Sequence, residues 1–108
     1  MEDREKIIIL YDYYSDLFTP IAKSYFESYY FDNLSLAEIA ENEGKSRNAI
    51  HKNIKHTVNM LYEYEDKLKI YEKEQKLKKI ISKITDENIK KEIEELLWKI
   101  NYQYILTI

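Results

Sequence analysis

A chain of 108 residues with one glycine and one proline has few ways to make tight turns. The two are Gly44 and Pro20, and neither residue type occurs after Ser46. Turn-rich β architectures need residues that reach positive φ or preset a turn, so this scarcity predicts an all-α chain. Cysteine is absent, which excludes a thiolate metal site and a disulfide framework. With 44% apolar and 34% charged residues the chain can build a core beneath a solvated face, which excludes a disordered tail. No apolar run approaches the ~20 residues of a membrane span. The stretch from Met1 to Lys6 is charged and lacks the apolar region of a signal peptide. These features predict a cytoplasmic protein of one domain with no membrane partner.

Apolar side chains recur at helical spacing at Ile7, Leu10, Tyr11, Tyr14, Leu17 and Phe18. Thr19-Pro20 then reads as an N-cap followed by the first helical residue, where proline's missing N–H costs nothing. The next helix sets Ile21, Ala22, Tyr25, Phe26, Tyr29 and Tyr30 on one side, a stripe expected in the core, and Asp32-Asn33 ends it. Ser35-Leu36-Ala37-Glu38 is a capping box, opening a short helix that runs to about Asn42. Gly44 follows where a helix end favours a left-handed residue, and Ser46 caps the next helix.

From Ile50 the apolar positions Ile54, Val58, Leu61, Tyr64, Leu68 and Tyr71 step by fours and threes, a heptad-like seam. The seam stumbles at Gln75 and resumes off-register at Leu77, Ile80, Ile81 and Ile84, before a restart at Thr85-Asp86. One helix from Arg47 to Ser82 would be ~54 Å long, more than a small head can cover. Residues 86–100 therefore fold back on it, or a second chain covers it. The second option makes the chain a homodimer, with Leu61, Tyr64, Leu68 and Tyr71 at the dimer interface. The apolar tail from Tyr102 to Ile108 has no assigned place. The expected order is a head over 1–60 and a helical extension over 61–108.

Charge is segregated along the chain. Residues 1–43 carry three bases and ten acids, whereas 44–62 carry Lys45, Arg47, Lys52 and Lys55 with no acid. A cationic stretch inside an acidic protein is either a nucleic-acid contact or a solvated face complementing the acidic half. Its position favours the contact, because residues 35–55 fit a helix-turn-helix. Ala40 supplies the small residue needed where two helices cross, Gly44 allows the turn, and Ile39, Ile50 and Ile54 face the core. The second helix then offers Arg47, Asn48, His51, Lys52 and Lys55 to a major groove. Arginine and asparagine can bond bidentately to guanine and adenine edges, whereas lysine and histidine suit phosphate.

Thr19-Pro20, Tyr29-Tyr30-Phe31, the run from Leu34 to Ala40 and the run from Ser46 to Ile50 resemble region 4 of bacterial sigma factors. With Asn53-Ile54-Lys55 and the stretch from Leu61 to Leu68, residues 4–75 resemble the YlxM family of small helix-turn-helix proteins (UPF0122-type) more closely. The resemblance implies a sigma region 4-like head, a long helix and a C-terminal helix. It also implies a DNA-binding regulator with a part in the signal recognition particle pathway. Glu43 and Lys45 stand where sigma-type motifs are usually apolar. They leave open a helical adaptor that contacts protein or RNA components of the particle without reading DNA.

Catalysis is not expected. His51 and His56 lie about 140° apart around a helix, too far to share a metal ion. Glu63, Glu65 and Asp66 read as a solvated helix face, and one glycine cannot build a phosphate loop. The chain is read as no enzyme, without cofactor or metal.

Overall fold

The computed structural model describes the backbone over residues 3–107 and the side chains over 3–97. The elements are α1 (Arg4–Tyr14), a 3-10 turn (Ser15–Leu17), α2 (Pro20–Tyr30), α3 (Leu36–Glu43), α4 (Arg47–Leu68), α5 (Ile70–Ile81) and α6 (Glu87–Thr107). The described residues contain no strand.

The helix starts follow local chemistry. Thr19, Ser35 and Ser46 hold extended backbone, and their hydroxyl oxygens accept from the N–H groups of Ala22, Glu38 and Ala49 at 3.2, 3.1 and 3.0 Å. Glu38 returns the contact by accepting from the Ser35 N–H at 3.1 Å, completing the capping box. Asp86 accepts from the N–H groups of Asn88 and Ile89 at 2.9 and 3.2 Å, which starts α6 at the expected restart.

Three helices and the first two-thirds of α4 build one core. Ile7, Leu10, Tyr11 and Tyr14 of α1 meet Tyr25, Phe26 and Tyr30 of α2, and Ile50, Ile54, Val58 and Leu61 of α4 close it. Tyr11 stacks on Phe26 with ring centroids 4.0 Å apart, and Phe26 stacks on Tyr30 at 4.5 Å. Two members of the expected stripes stay outside: Leu17 and Ile21 are exposed. Both flank the Thr19-Pro20 helix start, where the chain turns at the surface.

The long helix is not continuous. It ends at Leu68, Lys69 takes the left-handed conformation (φ 55°), and α5 starts at Ile70. The break comes six residues before the stumble at Gln75 and has no glycine. A non-glycine residue there costs ~1–2 kcal/mol, so other contacts must hold it. Glu65 accepts from the N–H groups of Tyr71 and Glu72, each at 3.1 Å, and from the Tyr14 hydroxyl at 2.6 Å. The Tyr14 oxygen in turn accepts from the Ile70 N–H at 3.2 Å. The first three N–H groups of α5 thus find acceptors on α4 and α1. Glu65, expected on a solvated face, is instead the cap of the next helix.

The break turns α5 and α6 back toward α1. Tyr71 packs edge-on against Tyr13 at 5.6 Å, and Glu74 is buried nearby with Lys78 Nζ 3.8 Å away. The side chains of Ile100 and of the tail at 102–107, with all of Ile108, lie outside the described residues.

Burial pushes the Tyr14 and Tyr30 hydroxyls up to about 12, with the Glu65 carboxylate adding to it at Tyr14 and Tyr29 at Tyr30. It moves Tyr11 and Tyr13 in the same direction, reinforced by Glu27 and Glu74. The folded chain therefore holds these protons more tightly than the unfolded chain, whose phenols ionise near 10.0. The stability they contribute is complete below that value and is lost as pH rises toward about 12. The urea midpoint should be lower at about pH 11 than at about pH 9, and equal midpoints would contradict this burial.

Candidate nucleic-acid interface

The site is built from the α3–α4 turn. Gly44 closes α3 at φ +63°, its N–H bonding to the carbonyls of Ala40 and Glu41. The Lys45 N–H reaches the Ala40 carbonyl at 3.0 Å, so the turn satisfies the last carbonyls of α3. A Cβ at Gly44 would meet no atom within 4 Å, so what the position requires is the backbone conformation, not space. Ile39 and Ala40 of α3 and Ile50 and Ile54 of α4 are buried at the crossing of the two helices.

That burial sets the phase of α4. With Ile50 and Ile54 inward, Asn48, Lys52 and Lys55 are exposed and His51 is half-buried; Arg47, in phase with Ile54, is exposed as the first residue of the helix. At ~100° per residue these five lie within an arc of about 140°, so one face carries them all. Lys45 and Asn59, also exposed, extend the face at either end. Lys45, a departure from the sigma-type pattern, belongs with the cationic stretch rather than with the packing of the turn. His56 is exposed at the edge of this face, about 40° beyond Lys52.

Among the described residues Lys45, Arg47, Lys52 and Lys55 make no ion pair. The first turn of α4 holds no acid, so its N-terminal dipole adds to their field. The far half of the helix behaves otherwise. Lys67 Nζ lies 2.7 Å from the Glu63 carboxylate, holding that carboxyl below its usual range while Glu63 raises the lysine. Glu41 and Glu43, exposed beside the turn, are the nearest opposing charges in the chain sequence.

Of the residues expected at a dimer contact, three are engaged within the chain. Leu61 is fully buried, Tyr64 packs on Tyr14 and Phe18, and Tyr71 packs on Tyr13. Leu68 alone of the four is exposed.

This helix-turn-helix geometry agrees with comparison to known proteins. The UPF0122 family model, described as "Putative helix-turn-helix protein, YlxM / p13 like", matches residues 1–100. The chain belongs to the UPF0122 family. A UPF0122 protein of Geobacillus sp. (strain WCH70) is 43% identical over 86 residues, covering 80% of this chain and 78% of the relative. One from Fusobacterium nucleatum is 41% identical over 101 residues, with 90% and 98% covered. One from Bacillus thuringiensis (strain Al Hakam) is 37% identical over 102 residues, with 90% and 93% covered. UPF0122 membership thus accounts for the extension as well as the head, since the match runs through α5 and into α6. No helix among the described residues is long and apolar enough to cross a membrane.

Proposed function

We propose that this UPF0122 protein is a transcription regulator that lays the first turns of α4 in the major groove of duplex DNA. The observation that carries this reading is the cationic face of α4, exposed and without an ion pair among the described residues, at the start of the second helix of the motif. Arg47 and Asn48 lead the helix and read base edges, and His51 lies on the same line. Lys52 and Lys55, with Lys45 at the turn, neutralise phosphates. Few phosphates are met by one head, so a homodimer that doubles the contacts suits useful affinity. The family resemblance adds a role in the signal recognition particle pathway.

The test is anisotropy of a labelled random duplex at ~50 mM salt, comparing wild type with Lys52→Glu/Lys55→Glu. The double variant should bind about 100-fold more weakly, and its salt dependence should flatten by about one unit per lysine. Equal, measurable affinity for both proteins would remove these residues from the interface. Exposed Glu41 and Glu43 beside the turn favour a second reading, since they oppose seating α4 between the two phosphate backbones of a duplex groove. In that reading the head is an adaptor for a protein or RNA component of the particle. It predicts negligible duplex binding by both proteins and component capture that survives the reversal.

A further inference from the structure

Among the described residues α5 is net positive and α6 net negative, and no ion pair joins the two helices. Lys79 and Lys83, at the end of α5 and just beyond it, are exposed and make no ion pair among the described residues. The same is true of Glu92 and Glu95 on α6. Large apolar side chains stand in solvent in the same stretch: Leu96 is 85% exposed, Ile80 58% and Ile89 48%. Ile89 and Leu96 are two helical turns apart, so they share one face of α6. Scattered apolar residues are ordinary at a surface, but a stripe flanked by unpaired charge has the composition of a contact.

We propose that the α5–α6 end docks a second copy of this chain about a two-fold axis, α6 of each copy lying against α5 of the other. The sign pattern decides the occupant. A polyanion such as nucleic acid would match the lysines of α5 and be repelled by the carboxylates of α6, which among the described residues outnumber its one exposed base, Lys91, and a polycation would meet the reverse conflict. A two-fold related copy brings carboxylates to lysines twice over. Ile80, Ile89 and Leu96 then lie at the centre, with the charges at the rim. This surface replaces the seam through Leu61, Tyr64 and Tyr71, which the chain uses for its own packing. It is independent of what α4 binds.

Sedimentation of the full chain at about 100 µM tests it, with far-UV circular dichroism confirming that each variant is folded. Wild type should be dimeric. Lys79→Glu/Lys83→Glu should weaken the dimer about tenfold or more, and so should Glu92→Lys/Glu95→Lys. An equimolar mixture of the two variants should dimerise again, because each contact then pairs opposite charges. Leu96→Asp, at a position too exposed to unfold a monomer, should also dissociate the pair. A monomeric wild type, a dimer indifferent to these changes, or a mixture that stays monomeric would each overturn the proposal.

Discussion

Leu61→Asp should leave the chain unfolded, whereas Leu68→Asp, one heptad further along the same seam, should leave it folded. The two leucines are equivalent in spacing and opposite in environment: Leu61 is 0% exposed and Leu68 45%. At position 61 the aspartate would be enclosed by apolar residues of α1, α2 and α4 with no cation among the core residues around it. An unpaired buried carboxylate costs several kcal/mol, on top of the ~1.5–3 kcal/mol lost with the leucine side chain. A domain of this size has roughly 5–15 kcal/mol of stability in total. Far-UV circular dichroism and a urea titration separate the two variants. Comparable stability of both would mean that the seam is not buried within the chain, and loss of the dimer in Leu68→Asp alone would return it to the dimer interface.

Glu65→Ala should cost about 2–4 kcal/mol, well beyond the usual effect of a partly exposed carboxylate. The substitution strands three donors together: the Tyr14 hydroxyl and the N–H groups of Tyr71 and Glu72. Water reaches some of them, which keeps the loss below the sum of ~1–3 kcal/mol for each buried, unsatisfied group. Glu65→Gln keeps an accepting oxygen and should lose less. The damage should also be local. Without the cap, the left-handed residue at Lys69 is no longer compensated, so the amides of Ile70, Tyr71 and Glu72 should exchange with solvent faster than those of α3. Wild-type stability together with unchanged exchange at these amides would show that the break holds itself.

The helix starts and the candidate interface were readable from residue order because both depend on short-range relations. A hydroxyl at Thr19, Ser35 or Ser46 meets an N–H three residues on, and Gly44 needs only its own backbone freedom. Ile50 and Ile54 fix the rotation of α4, and once they are inward Asn48, Lys52 and Lys55 must be outward; Arg47, in phase with Ile54, is exposed because it begins the helix. The apolar positions that stay in solvent were not readable in the same way. Leu17, Ile21, Ile89 and Leu96 satisfy the periodicity as well as their buried neighbours do, and spacing does not say which stripe finds a partner.

The sequence by itself determined an all-α chain, the starts of α2, α3, α4 and α6, and the face of α4 that meets solvent. The end of α4 was decided only by tertiary structure. Neither glycine nor proline marks Lys69, and of the acceptors at the start of α5 only the Glu65 carboxylate is close in sequence. The Tyr14 hydroxyl comes from 51 positions before Glu65 and 56 before Ile70, so the set of caps is complete only once α1 lies against α4. The physical reason is range. A cap or a helical phase is settled within about a turn of chain, whereas this helix stop, without glycine or proline, also needs a hydroxyl from α1 that only the folded core delivers.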